Sequence, residues 1–173
     1  VHLVDTDRPA NETATTDRPA NEPATTDRPA KETATTDRPA NETATTDLMA
    51  MTRAGDAGEV PVGAVVVVDG QVVAEAGNER ERRHDPTAHA EILALRAAAG
   101  HLGTWRLSGA TLYVTLEPCL MCGGAAVASR LARVVFATPD PKAGACGSLY
   151  NLCADPRLNH EMPVEAGLLG PEA

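Results

Sequence analysis

The stretch "TLYVTLEPCLMCGGAAVASRLARVVFAT", residues 111–138, decides the fold. Thr111 to Leu116 is short, apolar and rich in β-branched and aromatic residues, which reads as a strand. Pro118 then opens a helix over Cys119 to Arg130, since proline is tolerated where the first helical N–H has no partner. Arg133 to Ala137 is a second apolar run and a second strand. A strand, a helix and a strand in immediate succession form a crossover unit, which joins parallel neighbours of one sheet.

Working outward, Val62 to Val68, the turn dipeptide Asp69-Gly70 and Gln71 to Ala76 read as a β-hairpin. Its first arm is apolar on both faces, which predicts cover above and below the sheet. Pro86-Thr87 opens a helix through about Ala99, closed by Gly100, with Ile92, Leu95 and Ala99 on one stripe and Leu93 and Ala97 beside it. The order is β-β-α-β-α-β, an α/β sheet with helices packed on it. Beyond Pro139 the sequence reads as a Gly-rich loop, a short helix near Leu149 to Cys153 and a strand around Val164.

The chain has 173 residues, enough for one domain and a tail. From Asp5 to Asp47 no apolar side chain other than proline is larger than alanine, and the unit D-R-P-A-N-E-T-A-T-T recurs, varied only by Pro23 and Lys31. Such units offer no apolar face for a neighbour to bury, so they cannot stack as a solenoid. Ordering each residue costs about 1–2 kcal/mol of backbone entropy, which Ala and Thr methyls do not offset. Residues 1–47 therefore read as disordered repeats and 48–173 as the folded domain. The near-identity of the repeats points to recent duplication, or to a true start at Met49 or Met51.

The formal net charge is −9. Residues 1–47 carry ten Asp/Glu against five Lys/Arg, and the remainder fourteen against ten, so no basic face announces nucleic acid. Local patches matter more than totals, however, and Arg80, Arg82 and Arg83 form one, balanced by Glu79, Glu81 and Asp85. No apolar run is long enough to span a bilayer and the N-terminus lacks the pattern of a signal peptide, so the expected location is cytoplasmic with no membrane partner. In a reducing compartment Cys119-x-x-Cys122 suggests metal binding or catalysis more than a disulfide.

Both ionisable clusters stand where a strand passes into a helix. Cys119 and Cys122, three apart, share one helix face, and a helix N-terminus favours thiolates there. Two thiolates and the imidazole of His89 would give Zn²⁺ three protein ligands and leave one position for water, the pattern of a catalytic site. Glu91 can serve that site only if it lies across the helix end, because residues two apart in mid-helix point to nearly opposite sides. Singly these residues have plainer readings. A histidine at a helix start is commonly a cap or core residue, and one C-x-x-C is also half of a structural zinc site or a redox pair.

Together, H-A-E at 89–91 and P-C-L-M-C at 118–122 form the H-x-E…P-C-x-x-C signature of zinc-dependent nucleobase deaminases. With "VPVGAVVV" (60–67), "HDPTAHAEILALR" (84–96), "LYVTLEPCLMCGGA" (112–125), "SRLARVVFATPDPKAGACGSL" (129–149) and "LNH" (158–160), the chain resembles the bacterial tRNA-specific adenosine deaminases of the cytidine deaminase-like superfamily, from about Leu48 to Gly170. That resemblance implies a three-layer α/β/α fold with helices on both faces of the sheet, and a homodimer that converts the wobble adenosine of a tRNA anticodon to inosine. His89, Cys119 and Cys122 would hold zinc and Glu91 would shuttle protons. Asn78 would contact the base, the backbone around Ala90 would orient water or base, and Val60, Pro61 and Leu116 would wall the base pocket. Asp140 and Lys142 would lie on the loop that receives the anticodon.

Two departures accompany the likeness. Only Leu48 to Ala54 matches the family's first helix, with Gly55 and Gly58 weakening it, and the further, often basic helix beyond "GLL" (167–169) has no counterpart before Ala173. Three other readings stay open: a deaminase of a free base such as guanine or cytosine, a damaged zinc-binding relic, and a non-catalytic protein with a closed site of Cys119, Cys122, Cys146 and Cys153.

Overall fold

The computed structural model describes residue 50 and residues 53–167. The decapeptide repeats and most of the start of the expected first helix lie outside them, while 53–56 is helical. The elements that follow are β1 (Gly63–Val68), β2 (Gln71–Gly77), a short α1 (Arg80–Arg83), α2 (Ala90–Leu102), β3 (Thr111–Leu116), α3 (Leu120–Ser129), β4 (Arg133–Thr138), a 3-10 turn (Leu152–Ala154) and β5 (Val164–Ala166).

The strands form one sheet in the order β2-β1-β3-β4-β5. β1 pairs antiparallel with β2 and with β3. From β3 onward the pairing is parallel, Leu112 opposite Val134 and Val134 opposite Val164. The hairpin and the β3–α3–β4 crossover thus stand as the sequence predicts. Asp69 and Gly70 both have positive φ, 49° and 72°, the left-handed pair that a tight hairpin needs to match the strand twist.

Side chains alternate across the sheet, so each strand serves two clusters. Ala64, Val66, Leu112, Val114, Val134 and Phe136 face a core completed by Ala94, Leu95 and Ala98 of α2 and by Ala126 and Val127 of α3. Both long helices therefore pack on this one face. Val65, Val67, Tyr113 and Val135 form a second buried cluster on the other face, which accounts for a first arm that is apolar on both sides. Burying an aliphatic side chain of this kind contributes about 1.5–3 kcal/mol.

Helix α2 departs from its expected bounds at both ends. The Asp85 carboxylate accepts hydrogen bonds from Thr87 N (2.8 Å) and Thr87 Oγ1 (2.7 Å), which holds 85–88 in a turn and delays the helix to Ala90, with His89 as its N-cap. Gly100 stays helical, and Gly103, at φ 65°, takes the left-handed closing position. The buried stripe is also rotated: Ala94 and Ala98 are buried whereas Ala97 is exposed. In a run of alanines, side-chain identity does not distinguish the faces.

Helix α1 has no counterpart in the sequence reading. Its first turn is held by Glu59, whose carboxylate accepts from Glu81 N (3.2 Å) and Arg82 N (2.8 Å), a cap supplied from about twenty residues away.

Candidate active site

The sheet topology gathers the site. Because β1 runs against β2 and β3, its start lies beside their ends: Gly63 opposes Gly77, and Ala64 opposes Val114. Leu116 opposes Thr138 at the end of β4. The mouths of α2 and α3 follow β2 and β3 to this same edge. Ligand sites of open α/β sheets form at the carboxyl ends of parallel strands for this reason.

His89 and Cys119 are both N-caps in extended conformation, ψ 150° and 177°. Standing outside the helices they precede, they meet across the gap between the two mouths. His89 Nδ1 lies 3.8 Å from Cys119 Sγ and 3.6 Å from Cys122 Sγ. The three donor atoms all lie within 4.8 Å of one another. Zinc–sulfur and zinc–nitrogen bonds of about 2.3 and 2.0 Å at tetrahedral angles place such donors about 3.5–3.8 Å apart, so the arrangement fits a metal with little movement. Among the described residues no other group of three potential ligands gathers. Cys146 and Cys153 lie side by side, Sγ to Sγ 3.6 Å, apart from that cluster, so the closed four-cysteine site does not form.

Without metal, Cys119 is lowered to about 5, first by the hydrogen bond from the Cys122 thiol and then by the N–H groups of Cys122 and Met121 at the helix mouth. The same contact, with burial and the Glu91 charge, pushes Cys122 up. Glu91 is only 4 % exposed, and burial raises its carboxyl above the ordinary range. A buried carboxyl beside the donor cluster, held above its ordinary range, can take and return a proton there.

His89, Glu91 and Cys119 open onto a pocket of about 140 Å³. Asn78, Val60, Leu116 and Asp140, all expected at the substrate, line it as well. Pro61 is exposed and packs toward Gly55. The Ala90 side chain is buried in the helix-facing core, and its backbone lies between the pocket-lining residues His89 and Glu91. Lys142 is exposed on the loop that carries Asp140, its backbone N–H donating to Asp140 Oδ1 at 2.8 Å. The lining further includes Arg80, a member of the basic patch noted in the sequence, and Val62, Ala143 and Glu117, which the sequence did not place at a site. Asn78 is 5 % exposed and its Nδ2 donates to Glu59 at 3.0 Å, so one buried carboxylate sets both the amide and the α1 turn. The only local hint of Glu59 or Glu117 is an acidic residue flanked by apolar neighbours.

Comparison with known proteins places this geometry. The model of the MafB19-like deaminase family matches residues 41–164. The tRNA-specific adenosine deaminase of Bacillus subtilis (strain 168) is 52% identical over 120 residues, which cover 69% of this chain and 74% of the relative. That of Aquifex aeolicus (strain VF5) is 48% identical over 113 residues, covering 65% and 75%. A structure solved in a study of A-to-I editing by tRNA:A34 deaminases at the wobble position of transfer RNA superposes with a TM-score of 0.72 at 43% identity, over 74% of this chain and 93% of that one. A guanine deaminase from Bacillus subtilis superposes less well, with a TM-score of 0.55 at 37% identity over 60% and 67%.

Proposed function

This chain belongs to the deaminase family that includes the tRNA-specific adenosine deaminases, and on that premise we propose that it hydrolyses the 6-amino group of the wobble adenosine in a tRNA anticodon, leaving inosine and ammonia. The observation that carries the reading is the meeting of His89, Cys119 and Cys122 at two helix mouths, with buried Glu91 beside them. These three residues would hold Zn²⁺, which when bound supplies a water that ionises near neutral pH.

The remaining steps fall to side chains. Glu91 takes a proton from the attacking water and delivers it to the purine ring as the C6–O bond forms. A second transfer through the same carboxyl protonates the amine, the C6–N bond breaks and ammonia leaves. Asn78, steadied by Glu59, contacts the base, and Val60 and Leu116 flank it. The base must leave its stack to reach such a pocket, which a single-stranded anticodon loop permits at little cost.

The test offers the protein an anticodon stem-loop bearing wobble adenosine and, separately, free guanine. Inosine in the hairpin is the expected result. Ammonia from guanine alone would overturn the reading in favour of a free-base deaminase, the alternative that the guanine deaminase likeness keeps in view.

A further inference from the structure

We propose that Glu117 is a positioning residue whose buried carboxylate clasps the loop 140–148 against the pocket and so governs RNA recognition rather than the chemical step. The inference rests on the reading that the pocket receives an RNA loop.

Glu117 is 2 % exposed and stands two residues before Cys119. A carboxylate so buried demands donors, and among the described residues one loop supplies them all. Oε2 accepts from Asp140 N at 3.0 Å, and Oε1 from Cys146 N at 3.0 Å and Ser148 N at 2.9 Å. The Ser148 hydroxyl also donates to Oε2. Three backbone N–H groups spread over nine positions are thereby drawn to a single side chain.

The approach is close enough to dictate a residue on the loop. A Cβ at Gly144 would lie 2.4 Å from Glu117 Cδ and Oε2 and 2.6 Å from the Asp140 carbonyl, so any side chain there would push the loop off the carboxylate. Ala145 N donates to Pro118 O at 2.9 Å, and Glu117 N to Thr138 O at 2.8 Å, which ties the same segment to the strand ends behind it. The loop in turn forms a pocket wall, where Asp140 and Ala143 stand with His89 and Cys119. Glu117 therefore sets the distance between the metal-ligand cluster and the surface that meets the polynucleotide, while Glu91 alone handles protons.

The full chain is compared as wild type, Glu117→Gln, Gly144→Ala and the double variant. Zinc content, kcat and KM on the anticodon stem-loop, and the rate of trypsin cleavage after Lys142 are measured for each. Both single variants are expected to keep their zinc, raise KM about tenfold with kcat within about twofold, and be cut faster than wild type. The double variant is expected to be no worse than the poorer single one, because both changes release the same clasp. Unchanged KM in either zinc-loaded single variant, a loss confined to kcat, or additive effects would overturn the proposal. Should Glu117→Gln not fold, Gly144→Ala carries the test. Should wild type fail on the hairpin, the RNA reading falls by itself; the clasp is then upheld by faster cleavage after Lys142 in the variants and rejected by cleavage at the wild-type rate.

Discussion

At the scale of single residues, three buried carboxylates divide the labour, Glu91 and Glu117 at the pocket and Glu59 behind it. Glu91→Gln keeps the size of the side chain but removes the proton acceptor, so it is expected to retain zinc while inosine formation falls by about 10²–10⁴-fold; metal content and product analysis on one preparation check this. Glu59 works through structure. Its carboxyl is lowered from 4.5, chiefly by the Arg82 N–H, so its contribution to stability is complete above that value and is lost as pH falls through the depressed one. Glu59→Gln is accordingly expected to melt below wild type at neutral pH, with the gap narrowing in acid; a gap that widened in acid would contradict the assignment. The gathering of His89, Cys119 and Cys122, with Glu91 at the same pocket, was readable from sequence because short spacings set each of them at a helix mouth. Glu59 and Glu117 were not, because their partners lie about twenty to thirty residues away and only the folded chain brings them together.

At the scale of elements, α2 shows how a local signal misleads. Gly100 looks like a terminator, yet it lies inside the helix with open space at its Cβ, whereas Gly103 closes the helix at φ 65°. Gly100→Ala is therefore expected to stabilise the protein by about 0.5–1 kcal/mol and Gly103→Ala to destabilise it by about 1 kcal/mol, both read from urea unfolding. Equal effects would mean that the helix ends elsewhere. The strands were better marked, because alternation and β-branching repeat over every two residues. α1 escaped notice because four residues carry no periodicity and its cap comes from a different part of the chain.

For the whole molecule, charge is the unusual property. On the proposed function, a protein with a formal net charge of −9 meets RNA through a few local cations. Arg82 and Arg83 are both paired with Glu79, whereas Arg80 borders the pocket and lies 3.8 Å from Glu81. Hairpin affinity is expected to weaken with salt, and Arg80→Ala to reduce the slope of log K against log salt by about one unit, with Arg82→Ala changing it less. Titrations at several ionic strengths measure both slopes, and an unaltered slope in Arg80→Ala would remove that residue from the interface. The hairpin and the crossover could be read from sequence, but the strand order and the gathering of four strand ends at one edge are long-range properties that no window of residues carries.

The opposite margin of the sheet has a practical use. The Asp69–Gly70 turn lies at the far end of β1 and β2 from every side chain placed around the pocket. A fluorophore attached at this turn would sit at the far end of the hairpin from the pocket and leave the approach of a hairpin RNA clear, giving a reporter site for binding assays.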